Sequence, residues 1–333
     1  MLATAPENIG RLFIVGYRGE RVPDSFVKLA RQRRLGGVIL FEDNCRSSQG
    51  LSKSIAAIKR QYTDSPPFIA IDQEGGRVCR LRGAPAEFKA PAEYGRYKAN
   101  DSYAEDYGRA MVYLESLGIN LNLAPVCDLF LNDANSCLKG RSFGATPDEV
   151  IPFVRSSIHL ARRNGVLSCA KHFPGFGAAA ADPHVVTSSA DFDLRTWSGR
   201  ESKVFEAAIA AGVDMVMTTH MHVPEFDNVI ATGSHRMIDQ LLRVTLNFEG
   251  PVITDDLCMQ GAAVLGDLGN RTVAAFMAGH DLLLFGQDTD RAVEAMDAFA
   301  EAVRRGDIPK DRLRRSLERI ASVKCTLGNK VIL

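Results

Sequence analysis

From Ala170 to His184 the chain reads Ala-Lys-His-Phe-Pro-Gly-Phe-Gly-Ala-Ala-Ala-Ala-Asp-Pro-His. A basic pair, Lys171 and His172, leaves the apolar stretch Val166 to Ala170, and a glycine-containing loop then ends in an acid and an imidazole. Gly175 and Gly177 open backbone conformations closed to bulkier residues, so Asp182 and His184 are expected on a loop able to move. A carboxylate two residues from an imidazole orients the ring and favours its protonated form, which keeps a proton donor available near neutral pH. The segment suits acid–base chemistry.

Polar groups also follow other apolar runs. Asp72-Gln73-Glu74-Gly75-Gly76-Arg77-Val78-Cys79-Arg80 follows Phe68 to Ile71, while Asp128 and then Gly140-Arg141-Ser142-Phe143-Gly144 follow Asn120 to Val126. Thr219-His220-Met221-His222 and Asp255-Asp256 come later. Charges at the ends of apolar strands are costly to desolvate unless paired or used. Glu74 and Arg77 are expected to form a structural ion pair around the glycine turn. Arg80 and Arg141 are either loop staples or guanidinium forks for sugar hydroxyls or carboxylates. His220 and His222 raise a rival reading, a metal-dependent amidohydrolase barrel in which Lys171, His172, His184 and Asp255 are candidate further ligands. Strand alternation is expected to send only one of Asp255 and Asp256 into a pocket, leaving the other to cap the next turn.

These groups need a frame. Apolar or β-branched runs recur at Leu12 to Val15, Gly37 to Phe41, Phe68 to Ile71, Asn120 to Val126, Val166 to Ala170, Val213 to Thr218, Pro251 to Thr254 and Asp281 to Phe285. Helical spacing lies between most of them, as in Asp24 to Arg34, Gly50 to Gln61 and Pro152 to Asn164. Strands buried on both faces and separated by amphipathic helices predict an α/β fold, a (β/α)8 barrel, with working groups at the C-terminal strand ends. Gly83 to Asn100 is expected to be a loop insertion, and Asp288 to Arg305 and Lys310 to Val323 to be helices after the eighth strand. No Pro/Ser-rich linker divides the 333 residues, so a single domain over residues 1–333 is expected.

Forty basic and forty acidic residues cancel to a net charge of +0, which gives no global field for nucleic acid or an anionic membrane. A neutral small molecule fits better. Seven cysteines without paired spacing argue against a disulfide framework, and the absence of a signal-like start or a long apolar run points to the cytoplasm.

Asp72 to Val78, Gly140 to Phe143, Lys171 to Gly175, Asp182-Pro183-His184 and Thr254-Asp255-Asp256-Leu257 together resemble the ordered signatures of family-three glycoside hydrolases. More narrowly, the chain is similar to the single-domain bacterial β-N-acetylglucosaminidases (β-N-acetylhexosaminidases) that act on cell-wall peptidoglycan fragments. The resemblance runs from about Gly10 to Gly286 and implies a (β/α)8 barrel and a carbohydrate substrate, with no cofactor. It implies that Asp255 is a nucleophile forming a covalent glycosyl intermediate, that His184 is the acid/base, and that Asp182 tunes His184. It further implies Asp72, Arg80, Arg141, Lys171 and His172 as sugar contacts, and net retention of anomeric configuration. Relatives usually carry His where this chain has Phe176 and Ser where it has Pro183; Phe176 is expected to alter loop packing only. A catalytically silent sugar binder is the remaining alternative.

Overall fold

The computed structural model describes residues 6–63, 65–83, 85–179 and 187–327. Eight barrel strands follow one another: β1 (Phe13–Gly16), β2 (Gly37–Leu40), β3 (Phe68–Ile71), β4 (Leu121–Asn122), β5 (Leu167–Phe173), β6 (Met215–Thr218), β7 (Val252–Ile253) and β8 (Leu283–Phe285). Each pairs in parallel with its sequence neighbour, and β1 pairs with β8. The seam between β7 and β8 is closed by a parallel bridge of Ile253 to Leu282, with Thr254 N–H donating to the Leu282 carbonyl at 3.1 Å. A closed parallel barrel buries both faces of every strand, which is why β1, β2 and β3 are apolar runs with every residue buried.

Two strands differ from the sequence expectation. The run Asn120 to Val126 keeps regular pairing only at Leu121–Asn122, because Pro125 has no N–H to offer a ladder, though Val126 still bridges Lys171. Strand β5 runs on through Lys171 and His172 to Phe173, so these two side chains stand on the sheet itself rather than after it. The insertion after β3 is also more than a loop. Within Gly83 to Asn100 lies a helix, Pro91–Tyr97, started by a proline whose missing N–H costs nothing there, and an antiparallel ribbon, Gln73–Gly75 with Val78–Cys79, precedes it. Gly95 lets that helix lie on the Phe143 backbone, since a Cβ there would fall 1.6 Å from the Phe143 carbonyl oxygen. Stacked Phe143 and Phe153, 4.6 Å apart, with Tyr103 against both, anchor the same region.

Of the two helices after β8, Thr289–Arg305 completes the ring and Lys310–Thr326 is the extra one. Leu313, Leu317 and Ile320 of the latter are buried at helical spacing. Fully buried Asp281, just before β8, ties it down by accepting from Arg312 and Ser316 while also holding Arg243 at 2.8 Å. No helix among the described residues is long and apolar enough to cross a membrane.

Candidate active site

At the C-terminal ends of the strands lies a cavity of about 430 Å³ lined by Asp72, Arg80, Arg141, Lys171, His172 and Asp255, together with Glu74 and Phe176. Asp72 leaves β3, and the turn at Gly75-Gly76 folds the ribbon back so that Arg80 returns to it, Nη2 to Oδ2 at 3.3 Å. Buried Gln73 locks this fold: its Oε1 accepts the Arg80 N–H at 3.0 Å and its Nε2 donates to the Ala86 carbonyl at 2.8 Å. Lys171 reaches across from β5 to Asp72 at 2.7 Å and Glu74 at 2.6 Å. Arg141 grips Glu74 bidentately, Nε to Oε2 at 2.7 Å and Nη2 to Oε1 at 2.8 Å.

Glu74 is therefore the hub of the cluster, and its partner is not Arg77. Arg77 instead donates to the carbonyls of Ser136, Cys137 and Lys139, which staples the loop carrying Arg141. The pairing with Arg77 was the local choice; the fold brings Arg141 in from 67 residues away. Burial alone would raise the Glu74 carboxyl, but Arg141 and Lys171 outweigh it and hold the group well below the ordinary carboxylate range. Asp72 follows the same logic, with Lys171 and Arg80 overcoming its burial. Burial likewise opposes the Lys171 charge, yet Asp72 and Glu74 raise its pKa, so the ammonium persists. Arg80 Nε is buried and finds no hydrogen-bond partner among the described residues.

His172 has fully buried Asp128 beneath it, Nδ1 to Oδ2 at 2.6 Å, and Arg141 beside it, Nε2 to Nη2 at 3.4 Å. Asp128 Oδ1 also accepts the Phe176 N–H at 2.6 Å, at the root of the glycine loop. Phe176 does more than fill that loop: its ring lies 6.2 Å from the His172 ring and forms part of the cavity wall.

Both Asp255 and Asp256 line the cavity, because regular strand alternation ends with Ile253. They are nonetheless different. Asp256 Oδ1 accepts the Cys258 N–H at 2.9 Å, the capping role expected of one member, and burial raises its carboxyl pKa. Asp255 Oδ1 accepts only the adjoining Asp256 N–H, at 2.8 Å, among the described contacts. Asp182 and His184 lie outside the described residues.

The histidine pair is bonded within the protein. His220 is fully buried, with Nδ1 2.7 Å from Thr232 Oγ1 and Nε2 2.9 Å from the Asp256 carbonyl oxygen, so both nitrogens are engaged. His222 turns to the Asp227 carbonyl at 3.0 Å. Among the described residues no three His, Cys, Asp or Glu side chains are grouped to hold an ion.

A cavity of anchored carboxylates and forked cations at the mouth of a parallel barrel is matched by relationship. Residues 4–323 fit the model of the glycosyl hydrolase family 3 N terminal domain. The chain belongs to that family. It is a glycoside hydrolase. A β-hexosaminidase of Vibrio cholerae is 36% identical over 265 residues, covering 79% of this chain and 78% of its own. The structure of a family 3 β-N-acetylglucosaminidase from a Paenibacillus species superposes with a TM-score of 0.94 at 31% identity, covering 98% of this chain, which spans 63% of that longer one. A β-N-acetylhexosaminidase from Beutenbergia cavernae matches end to end, with 98% and 99% of the two chains covered, a TM-score of 0.90 and 25% identity.

Proposed function

We propose that this family 3 enzyme is a retaining, exo-acting β-N-acetylhexosaminidase that releases terminal β-linked N-acetylglucosamine from cell-wall peptidoglycan fragments. One observation carries the reading: the Asp255 carboxylate lines the same cavity as the five polar side chains suited to holding a sugar, Asp72, Arg80, Arg141, Lys171 and His172. The names of the similar proteins support the acyl-amino sugar specificity. A cavity of about 430 Å³ is of a size to enclose a single sugar ring with its substituents.

In this reading Asp255 attacks the anomeric carbon and the bond to the leaving oxygen breaks, while His184 gives that oxygen its proton. Water then attacks the glycosyl ester, passes a proton to His184 and frees Asp255. Asp182 steadies His184. An unperturbed imidazole titrates at ~6.5, so it gives and takes a proton close to neutral pH without the raised pKa a glutamate needs. The ion-paired cluster contributes charged groups already aimed at the ring, so little reorganisation accompanies the reaction. The 333 residues act as one catalytic barrel domain in the cytoplasm, a reducing setting that suits seven unpaired cysteines.

The test is turnover of an aryl β-N-acetylglucosaminide by the pure protein, with Asp255→Asn lowering kcat roughly 10³-fold or more. Cleavage of an aryl β-glucoside alone refutes the amino-sugar specificity; a near-normal rate in Asp255→Asn removes the nucleophile.

A further inference from the structure

Asp128 is placed to dictate the chemistry of His172. It is fully buried, and both of its oxygens point at the end of β5: Oδ2 accepts the His172 backbone N–H at 3.2 Å and meets the ring Nδ1 at 2.6 Å, while Oδ1 accepts the Phe176 N–H at 2.6 Å. On the other side of the ring, Nε2 is 3.4 Å from Arg141 Nη2. A carboxylate only accepts and a guanidinium only donates. A ring held between them has one arrangement that satisfies both: the proton on Nδ1 and the lone pair on Nε2.

We propose that Asp128 is a positioning residue that fixes His172 as its Nδ1–H tautomer, so that Nε2 offers the sugar pocket an acceptor lone pair. The proposal deepens the reading of His172 as a sugar contact and rests on it. The consequence is chemical. Arg80, Arg141 and Lys171 can only donate to a sugar, and of the acceptors around them Glu74 is consumed by Arg141 and Lys171. The Nε2 lone pair that takes the long 3.4 Å contact from Arg141 is the one a sugar hydroxyl would take over, an uncharged acceptor among cations. The rotated arrangement, with hydrogen on Nε2, would set donor against donor at Arg141 and leave Asp128 without the ring proton.

Asp128→Asn separates this role from a merely structural one. The amide oxygen can still accept the Phe176 N–H, but the amide NH2 now faces Nδ1, which favours the opposite tautomer. Long-range proton–nitrogen correlation spectra of ¹⁵N-histidine-labelled protein, with His172→Gln identifying the signals, read the ring directly. The wild type is expected to show Nδ1 protonated and Nε2 bare, and Asp128→Asn the reverse. KM for an aryl β-N-acetylglucosaminide is expected to rise roughly 10- to 100-fold in Asp128→Asn. In a His172→Gln background the same substitution should add less than about 3-fold, since its effect passes through the ring. A wild-type ring carrying its proton on Nε2, or on both nitrogens, overturns the proposal even where Asp128→Asn fails to fold. Independent, multiplying losses in the double variant overturn it as well. The expected tautomer in a protein inert toward every aryl glycoside would refute the proposed activity and leave the role of Asp128 standing.

Discussion

Replacing Glu74 by Gln tests whether the cavity is held by charge. The Glu74 side chain is 1% exposed and accepts three bonds, two from Arg141 and one from Lys171. The substitution removes the negative charge and puts an NH2 where an oxygen met a donor. Lys171 keeps Asp72 at 2.7 Å, whereas Arg141 keeps only weak neutral acceptors such as the Cys137 carbonyl at 3.2 Å. Removing one partner of a buried ion pair costs about 3–5 kcal/mol. At ~2.1 cal/mol/K per residue, a chain of 333 residues has an unfolding entropy near 0.7 kcal/mol/K, so Tm should fall by about 4–7 °C. Calorimetry or near-ultraviolet dichroism at one fixed scan rate reads this. The pH dependence gives a second check. The folded carboxyl titrates below its unfolded value of ~4.3, so its stabilisation is complete above that pH and is lost as pH falls toward the lower folded value. The gap between wild type and Glu74→Gln should therefore be full at pH 7 and narrow in acid. A Tm within 1 °C of wild type at pH 7, or a gap unchanged to the lowest pH at which both fold, refutes the argument.

Two further outcomes follow from the opposite end of the barrel and from the glycine loop. Lys324 is buried with its ammonium donating to the Gly36 carbonyl at 2.7 Å over the Phe68 ring, and burial, with Arg11 nearby, pushes its pKa down to about 7. The unfolded chain keeps that proton up to ~10.4, so the cost of burying the charge is full below pH 7 and fades as pH rises toward 10; Lys324→Met should raise Tm most at pH 6 and little at pH 10, and an equal change at both refutes it. Gly177→Ala would set a Cβ 1.6 Å from the Leu129 carbonyl oxygen, and since backbone meets backbone there, Tm should drop by about 2 °C or more with a fall in kcat/KM; wild-type values for both would show that the loop moves freely.

The barrel was legible because parallel strands covered on both sides have no polar face to interrupt them, so Phe13–Gly16, Gly37–Leu40 and Phe68–Ile71 read as apolar runs at nearly the observed bounds. Bounds failed where chemistry intrudes. Strand β5 continues through Lys171 and His172, polar residues that a pattern of burial assigns to a loop, because Asp72, Glu74 and Asp128 neutralise or bond them there. Of the residues singled out from the sequence, Asp72, Arg80, Arg141, Lys171, His172 and Asp255 share one cavity, while Asp182 and His184 fall outside the described residues. The wiring of that cavity was not legible. A signal for Glu74 existed: in extended chain Asp72 and Glu74 fall on one side, so a cation facing one reaches the other, as Lys171 does. Its bidentate partner, Arg141, belongs to a different loop, and no local spacing relates positions joined only by barrel closure. Asp128 was visible as an acid at a strand end, but its meaning depends on the groups it faces, the His172 backbone N–H and ring Nδ1 and the Phe176 N–H, all supplied by β5 and the residues after it. Residue types thus announced which groups the barrel must neutralise, and the parallel register, by laying strand ends side by side, decided which charge neutralises which.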